Sequence, residues 1–237
     1  MKNRIWELDV FRGICIIGVV FVHLMYDLAT LYKIIDWQYP AWFAFIKQWG
    51  GILFILLSGT CATLGSRSVR RGLVVFGCGM VISAVTYGMY RYGFHKSIII
   101  YFGVLHCLGA CMLLWPVFRK CPTAVLLLLG AAMIPTGLYL RDHVRVSVEF
   151  LFPLGLLYPG FSSGDYFPLL PNLGYFLVGA GIGRLCYRQR RSLICETQPD
   201  NVLIRFLSFC GRNSLPIYLL HQPVIAGVVG LVALMLN

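Results

Sequence analysis

Seven apolar stretches, each close to the length of a membrane span, divide this chain. They cover approximately 10–32, 42–64, 71–90, 98–118, 122–140, 168–187 and 214–236. A helix needs about 20 apolar residues to cross the hydrocarbon core of a bilayer. The expected fold is therefore all-α: a polytopic membrane helical bundle of about seven transmembrane helices. One further stretch, "VSVEFLFPLGLLYPGF" at 146–161, is apolar but broken by Pro153, Gly155, Pro159 and Gly160. It reads as a re-entrant or interfacial segment, or as a short eighth helix.

Composition agrees with this reading. The chain is 59% apolar and 12% charged, against about 25% charged residues in a soluble domain. Its 237 residues suit one transmembrane domain spanning 1–237, with no separate soluble domain. The start, "MKNRIWELDVFRG", leads into a full-length span without a small-residue cleavage site, so the first span is expected to stay in the mature protein. The nine cysteines are scattered, without a CxxC pair, and most lie inside apolar runs. There they serve as small packing residues, and neither a disulfide framework nor a metal site is expected.

The net charge of +11 would suit nucleic acid in a soluble protein. In a multispan protein, Lys and Arg instead mark cytoplasmic loops, and no nucleic-acid partner is expected. With the N-terminus in the cytoplasm, Lys2, Arg4, Arg12, Arg67, Arg70, Arg71, Arg119, Lys120, Arg184, Arg188, Arg190, Arg191, Arg205 and Arg212 fall inside, 14 residues. Lys33, Lys47, Arg91, Lys96, Arg141 and Arg145 fall outside, 6 residues. The bias favours a cytoplasmic N-terminus and, with seven spans, an outer C-terminus. The polar stretch 188–212 is read as a long inner loop.

The first span, "DVFRGICIIGVVFVHLMYD", holds four ionisable side chains. At 100° per residue Asp9, Arg12, His23 and Asp27 share an arc of about 60°. Such a face points into a bundle or towards water, not towards lipid. His23 lies about 16 Å along the axis from Arg12. Asp27, four residues after His23, is placed to accept a hydrogen bond from one ring nitrogen, which would raise the basicity of the other. The structural alternative is an Asp9–Arg12 ion pair at the inner interface and a helix–helix hydrogen bond from His23.

Two more histidines fall inside spans: His106 in "YFGVLHCLGA" and His221 in "GRNSLPIYLLHQP". Ser214, Tyr218 and His221 share one face of the last helix, and Pro223 should free a carbonyl near Leu219. Three histidines on three helices could line one cavity, or each could satisfy a local helix–helix bond. Asp165 beside an aromatic at the outer edge suits a polar acceptor such as a sugar, and equally suits a helix cap. Asp165, Tyr218 and Gln222 are the candidate substrate-contacting residues. The glycines at 179, 181 and 183 follow no strand, so they form no nucleotide motif.

Four blocks taken together, "LDVFRGICIIGVVFVH", "GVLHCLGACMLL", "DYFPLLPNLGYFLVGAGIG" and "GRNSLPIYLLHQP", resemble the bacterial branch of the heparan-α-glucosaminide N-acetyltransferase catalytic-domain family. The resemblance runs in order over about residues 5 to 225. It implies a membrane-embedded acetyltransferase in a bacterial inner (plasma) membrane. The donor would be cytoplasmic acetyl-CoA, and the acceptor a sugar-like, glycan or other small-molecule hydroxyl or amine at the outer face. In related O-acylating membrane enzymes a first-helix arginine precedes a histidine at about this distance, which maps onto Arg12 and His23. The animal heparan enzymes differ, with their proposed active histidine beyond the first span. On this reading His23, oriented by Asp27, is base or acyl carrier. His106 and His221 complete the catalytic set, and Arg12, Arg67, Arg70 and Arg71 hold the phosphates of CoA. The lipid bilayer is the standing partner, and a homo-oligomer is compatible with the chain.

Two other functions fit the same residues. A small proton-coupled transporter or exporter would use the polar stripe as a proton relay, although no inverted repeat is visible. A non-catalytic scaffold or sensor would tolerate loss of His23, His106 and His221 without losing any activity.

Overall fold

The computed structural model describes residues 5–94, 96–195 and 197–236. Lys2 and Arg4, counted above with the inner basic residues, lie outside this range. Eight helices follow in chain order among the described residues: α1 Trp6–Tyr26, α2 Ala41–Leu64, α3 Ser68–Arg91, α4 Val104–Phe118, α5 Thr123–His143, α6 Leu169–Cys186, α7 Val202–Arg212 and α8 Ser214–Leu236. Six of them are long and apolar enough to cross a membrane, and α4 is a shorter apolar helix. The chain is an integral membrane protein with a polytopic helical fold. Among the described residues the only strand-like pairings are two isolated bridges.

The chain divides into two compact units, residues 1–54 with 189–237 and residues 55–188, and α2 runs from one into the other. In the first unit α7 crosses the start of α1 where two glycines meet. A Cβ on Gly13 would overlap the Leu207 carbonyl, and one on Gly211 would overlap the Asp9 carbonyl. Lipid tails offer helices no hydrophobic incentive to associate, so backbone approach through small residues takes that role. Past its last α-turn, α1 widens into a π-helical turn, Asp27–Leu31, closed by a bond from the Tyr32 amide to the Asp27 carbonyl (2.9 Å). The stretch after α6 is tied back to the start of α1. The Trp6 indole donates to the Cys195 carbonyl (3.1 Å), and Glu7 accepts from the Leu193 amide (2.8 Å).

In the second unit α3 pairs with α4 and α5 with α6. The α5–α6 contact centres on Gly130 and Gly174, each facing the other's carbonyl. Leu126, Phe176 and Leu177 are sealed in the core. The second half of α2 packs on α6, with Thr60 donating to the Gly179 carbonyl (2.9 Å). Arg184 closes the α4–α5 turn by donating to the carbonyls of Arg119 and Cys121, as a cation at helix C-terminal carbonyls should.

The stretch 146–161, read as a re-entrant or interfacial segment or a short eighth helix, holds one six-residue 3-10 turn, Glu149–Leu154, ended by Gly155 at φ +105°. Pro153 and Pro159 have no N–H to give to a longer helix. One segment differs from the sequence expectation: 188–212, read as a polar loop, contains α7. The Asn201 side chain caps α7 by accepting from the amides of Leu203 (2.8 Å) and Ile204 (3.4 Å). The Asn213 side chain closes its other end on the Phe209 carbonyl (2.9 Å) instead of capping α8. Eleven residues with three cationic or hydroxyl side chains, Arg205, Ser208 and Arg212, escape a search for spans, although their apolar positions recur at helical spacing.

Candidate functional site within the membrane helices

In the first unit α8 runs beside α1 in the same direction. His23 meets His221, Asp27 meets Gln222, and the Tyr32 hydroxyl donates to the Ala226 carbonyl (3.1 Å). The rings of His23 and His221 lie 4.9 Å apart, edge to face. The π turn begins at the residue that carries the buried carboxylate, and such turns recur at functional sites.

His221 is 8% exposed. Its Nδ1 lies 2.6 Å from the Tyr218 carbonyl. A carbonyl can only accept, so Nδ1 carries the proton and Nε2 presents a lone pair in the neutral ring. That Nε2 is buried and has no partner among the described residues. The Tyr218 ring also lies against the His221 ring, tilted, with 5.3 Å between centroids. His23 makes no hydrogen bond among the described residues, and Lys47 on α2 lies within electrostatic reach of it.

Asp27 is fully buried. The expected His23–Asp27 hydrogen bond is not formed. Both carboxylate oxygens instead accept from the Gln222 side-chain amide, at 3.2 and 3.1 Å. The i,i+4 spacing allowed the pairing, but α8 supplies a planar NH2 that reaches both oxygens. Gln222 thereby contacts Asp27, and its own Oε1 is buried without a partner among the described residues. Three acceptors, His221 Nε2, Gln222 Oε1 and the Asp27 carboxylate, thus sit along one helix–helix seam with one donor group among them. Such a seam suits a ligand that brings N–H or O–H groups.

Arg12 is half-buried on α1, with no ion pair or hydrogen bond among the described residues. The alternative Asp9–Arg12 ion pair is not made. Arg67, Arg70 and Arg71 are exposed around the α2–α3 turn of the second unit, where the Arg71 guanidinium packs over Gly65.

His106 and Asp165 belong to the second unit, and both cap α4. His106 Nδ1 accepts from the Gly103 amide (3.2 Å), so Nε2 bears the proton and donates to Ser83 Oγ (3.2 Å). Ser83 in turn donates to the Ile100 carbonyl (2.5 Å). Both ring nitrogens are thereby engaged. Asp165 Oδ2 accepts from the Val104 amide (3.0 Å), which makes it a cap supplied by a distant loop. Desolvation pushes this carboxyl up to about 6, against the amide bonds from Val104 and Tyr166 that pull it back. Ser83 had no signal in the sequence, since one serine in an apolar run has no pattern. Among the described residues no group of three His, Cys, Asp or Glu side chains gathers as metal ligands.

By fold and site this is a polytopic membrane protein with a polar, histidine-bearing seam between two of its spanning helices. The family model for the catalytic region of heparan-alpha-glucosaminide N-acetyltransferase matches residues 4–223. The chain belongs to that family, a family of transmembrane acetyltransferases. No curated protein and no solved structure matches it.

Proposed function

We propose that the chain, as one domain, transfers an acetyl group from cytoplasmic acetyl-CoA to a hydroxyl or amine acceptor, sugar-like in character, on the opposite side of a bacterial plasma membrane. The observation that carries this reading is the buried Nε2 of His221, without a partner among the described residues, against the ring of His23. A neutral imidazole whose other nitrogen is fixed on a carbonyl is competent as a general base. It takes the proton of the acceptor O–H or N–H as that atom attacks the thioester carbonyl. The C–S bond then breaks, and the departing CoA thiolate recovers the proton from the imidazolium. His23 is the second base candidate, or carries the acetyl group between donor and acceptor. Gln222 and Asp27 accept the remaining donors of the acceptor molecule.

Arg12, with no ion pair among the described residues, is suited to a phosphate of CoA. Arg67, Arg70 and Arg71 are further candidates for the same role. His106 is better read as a structural cap than as a base, because neither of its nitrogens is free. Asp165 is likewise read as a cap.

The test is CoA release by the purified protein from acetyl-CoA, with and without amino sugars and glycan precursors, comparing His23→Ala, His221→Ala and His106→Ala. Loss of turnover of about 100-fold or more in the first two variants is expected for removal of a general base. His106→Ala should retain turnover in the folded fraction while lowering the unfolding temperature. A well-folded protein that neither binds nor turns over acetyl-CoA overturns the reading and directs attention to proton-coupled flux.

A further inference from the structure

The geometry points to α7 as an interfacial anchor that holds anionic phospholipid against the helix pair α1–α7. With 11 residues, it is too short to span, since a crossing takes about 20. Its depth is set by its neighbours. One face is spent on the first turns of α1, through Gly13, Asp9 and Gly211, and only Asn213 separates it from the span α8. Both contacts place it where spans begin, at an edge of the hydrocarbon core.

The opposite face is apolar and uncovered. Val202, Leu203, Phe206 and Phe209 are 74%, 63%, 54% and 56% exposed. At 100° per residue they share an arc of about 120°. Arg205 and Arg212 flank this arc on one side, both exposed. Arg205 shares its charge with the exposed carboxylate of Asp200 (3.3 Å), whereas Arg212 has no ion pair among the described residues. An apolar face bordered by arginines is the pattern of a helix lying at the headgroup boundary, with aromatic side chains among acyl chains and guanidinium groups at phosphates. The charge selects the occupant: anionic headgroups over zwitterionic ones. A second copy of this chain, with a net charge of +11, would bring like charge to Arg212 and not the anion that its position calls for. The lipid would thereby bear on α1, the helix that carries Arg12 and His23.

The proposal is tested with a photoreactive benzoylphenylalanine in place of Phe206 in the full chain, reconstituted in vesicles of phosphatidylcholine and phosphatidylglycerol. After irradiation, mass spectrometry reads the adducts. A probe at Leu128, 70% exposed on α5, serves as the reference for ordinary lipid contact. The Phe206 probe is expected to yield phospholipid adducts, with phosphatidylglycerol enriched about fivefold over its share in the vesicle, the effect of one unshared basic residue near the surface. Arg205→Gln with Arg212→Gln should abolish the enrichment and keep the adducts. Chain-to-chain crosslinks at Phe206, no lipid adduct there while Leu128 gives one, or adducts without headgroup preference would each overturn it.

Discussion

Gln222 is the residue on which the arrangement of the seam turns. Its amide supplies the only hydrogen bonds that the described residues give to the fully buried Asp27 carboxylate. Removing such a donor leaves a buried carboxylate with no donor among the described residues, at a cost of about 1–3 kcal/mol. Gln222→Ala should therefore lower both the unfolding temperature and acetyl transfer, the latter about tenfold. Gln222→Glu should do worse, because it sets a second carboxylate against the first. Thermal unfolding and CoA release measured on the two variants check this; equal behaviour of Gln222→Glu and wild type would show that Asp27 is protonated or satisfied by other means. Asp165 yields a second prediction at this scale. Its carboxyl, pushed up to about 6 from 3.8, holds its proton in the folded protein where the unfolded chain has already lost it. Its contribution is fully favourable below about 4, declines as pH rises to about 6, and is constant above. Asp165→Asn keeps an oxygen for the Val104 amide and removes the titration. Its unfolding temperature should vary less between pH 4 and 6 than that of the wild type, and parallel profiles would sink this account.

Among the elements, the α1–α7 crossing is the most sensitive to volume. Gly13 and Gly211 bring the two backbones together with no room for a Cβ. Gly13→Val should force the helices apart at about 1–3 kcal/mol, and the loss should appear as a lowered unfolding temperature. Gly227, whose Cβ would meet nothing, provides the control: Gly227→Ala should be neutral or slightly stabilising, since alanine is the better helix former. α4 shows a different economy. It starts at Val104, although the apolar run begins near 98, because Gly103 and Val104 give their amides to His106 and Asp165. The residues before it follow the 161–167 loop, with bonds from Gly164 to Ile99 and from Phe167 to Phe102 (both 2.9 Å).

For the whole molecule, the contacts between α1 and α8 constrain the path of the chain. The pairs His23–His221, Asp27–Gln222 and Tyr32–Ala226 advance together along both helices. If both helices cross in the same direction, an odd number of crossings lies between them. The long helices α2, α3, α5 and α6 number four, so the 15-residue α4 must cross as well. We predict that the two termini lie on opposite faces of the membrane, with the N-terminus on the cytoplasmic face that the Lys and Arg bias favours. Reporter fusions at each end decide it, and reporters active on the same side would remove α4 from the count of crossings.

Hydropathy and period alone determined that the chain is a membrane-spanning helical protein, roughly where each span lies, and that Asp9, Arg12, His23 and Asp27 share one face of the first helix. Those follow from local rules, since the length of an apolar run and 100° per residue need no knowledge of the rest of the chain. The four ordered blocks also carried the family. What only the tertiary structure decided is which polar groups meet. Asp27 turned from His23, four residues away, to Gln222, nearly two hundred residues away. His106 and Asp165, for which a site role and a local structural bond were both open, bond the first amides of α4. α7 emerged from an apparent loop because its apolar positions are too few for a span and its buried face is defined only by α1. Inside a membrane bundle the partners open to a polar group are those that packing brings within reach, not those that spacing along the sequence offers.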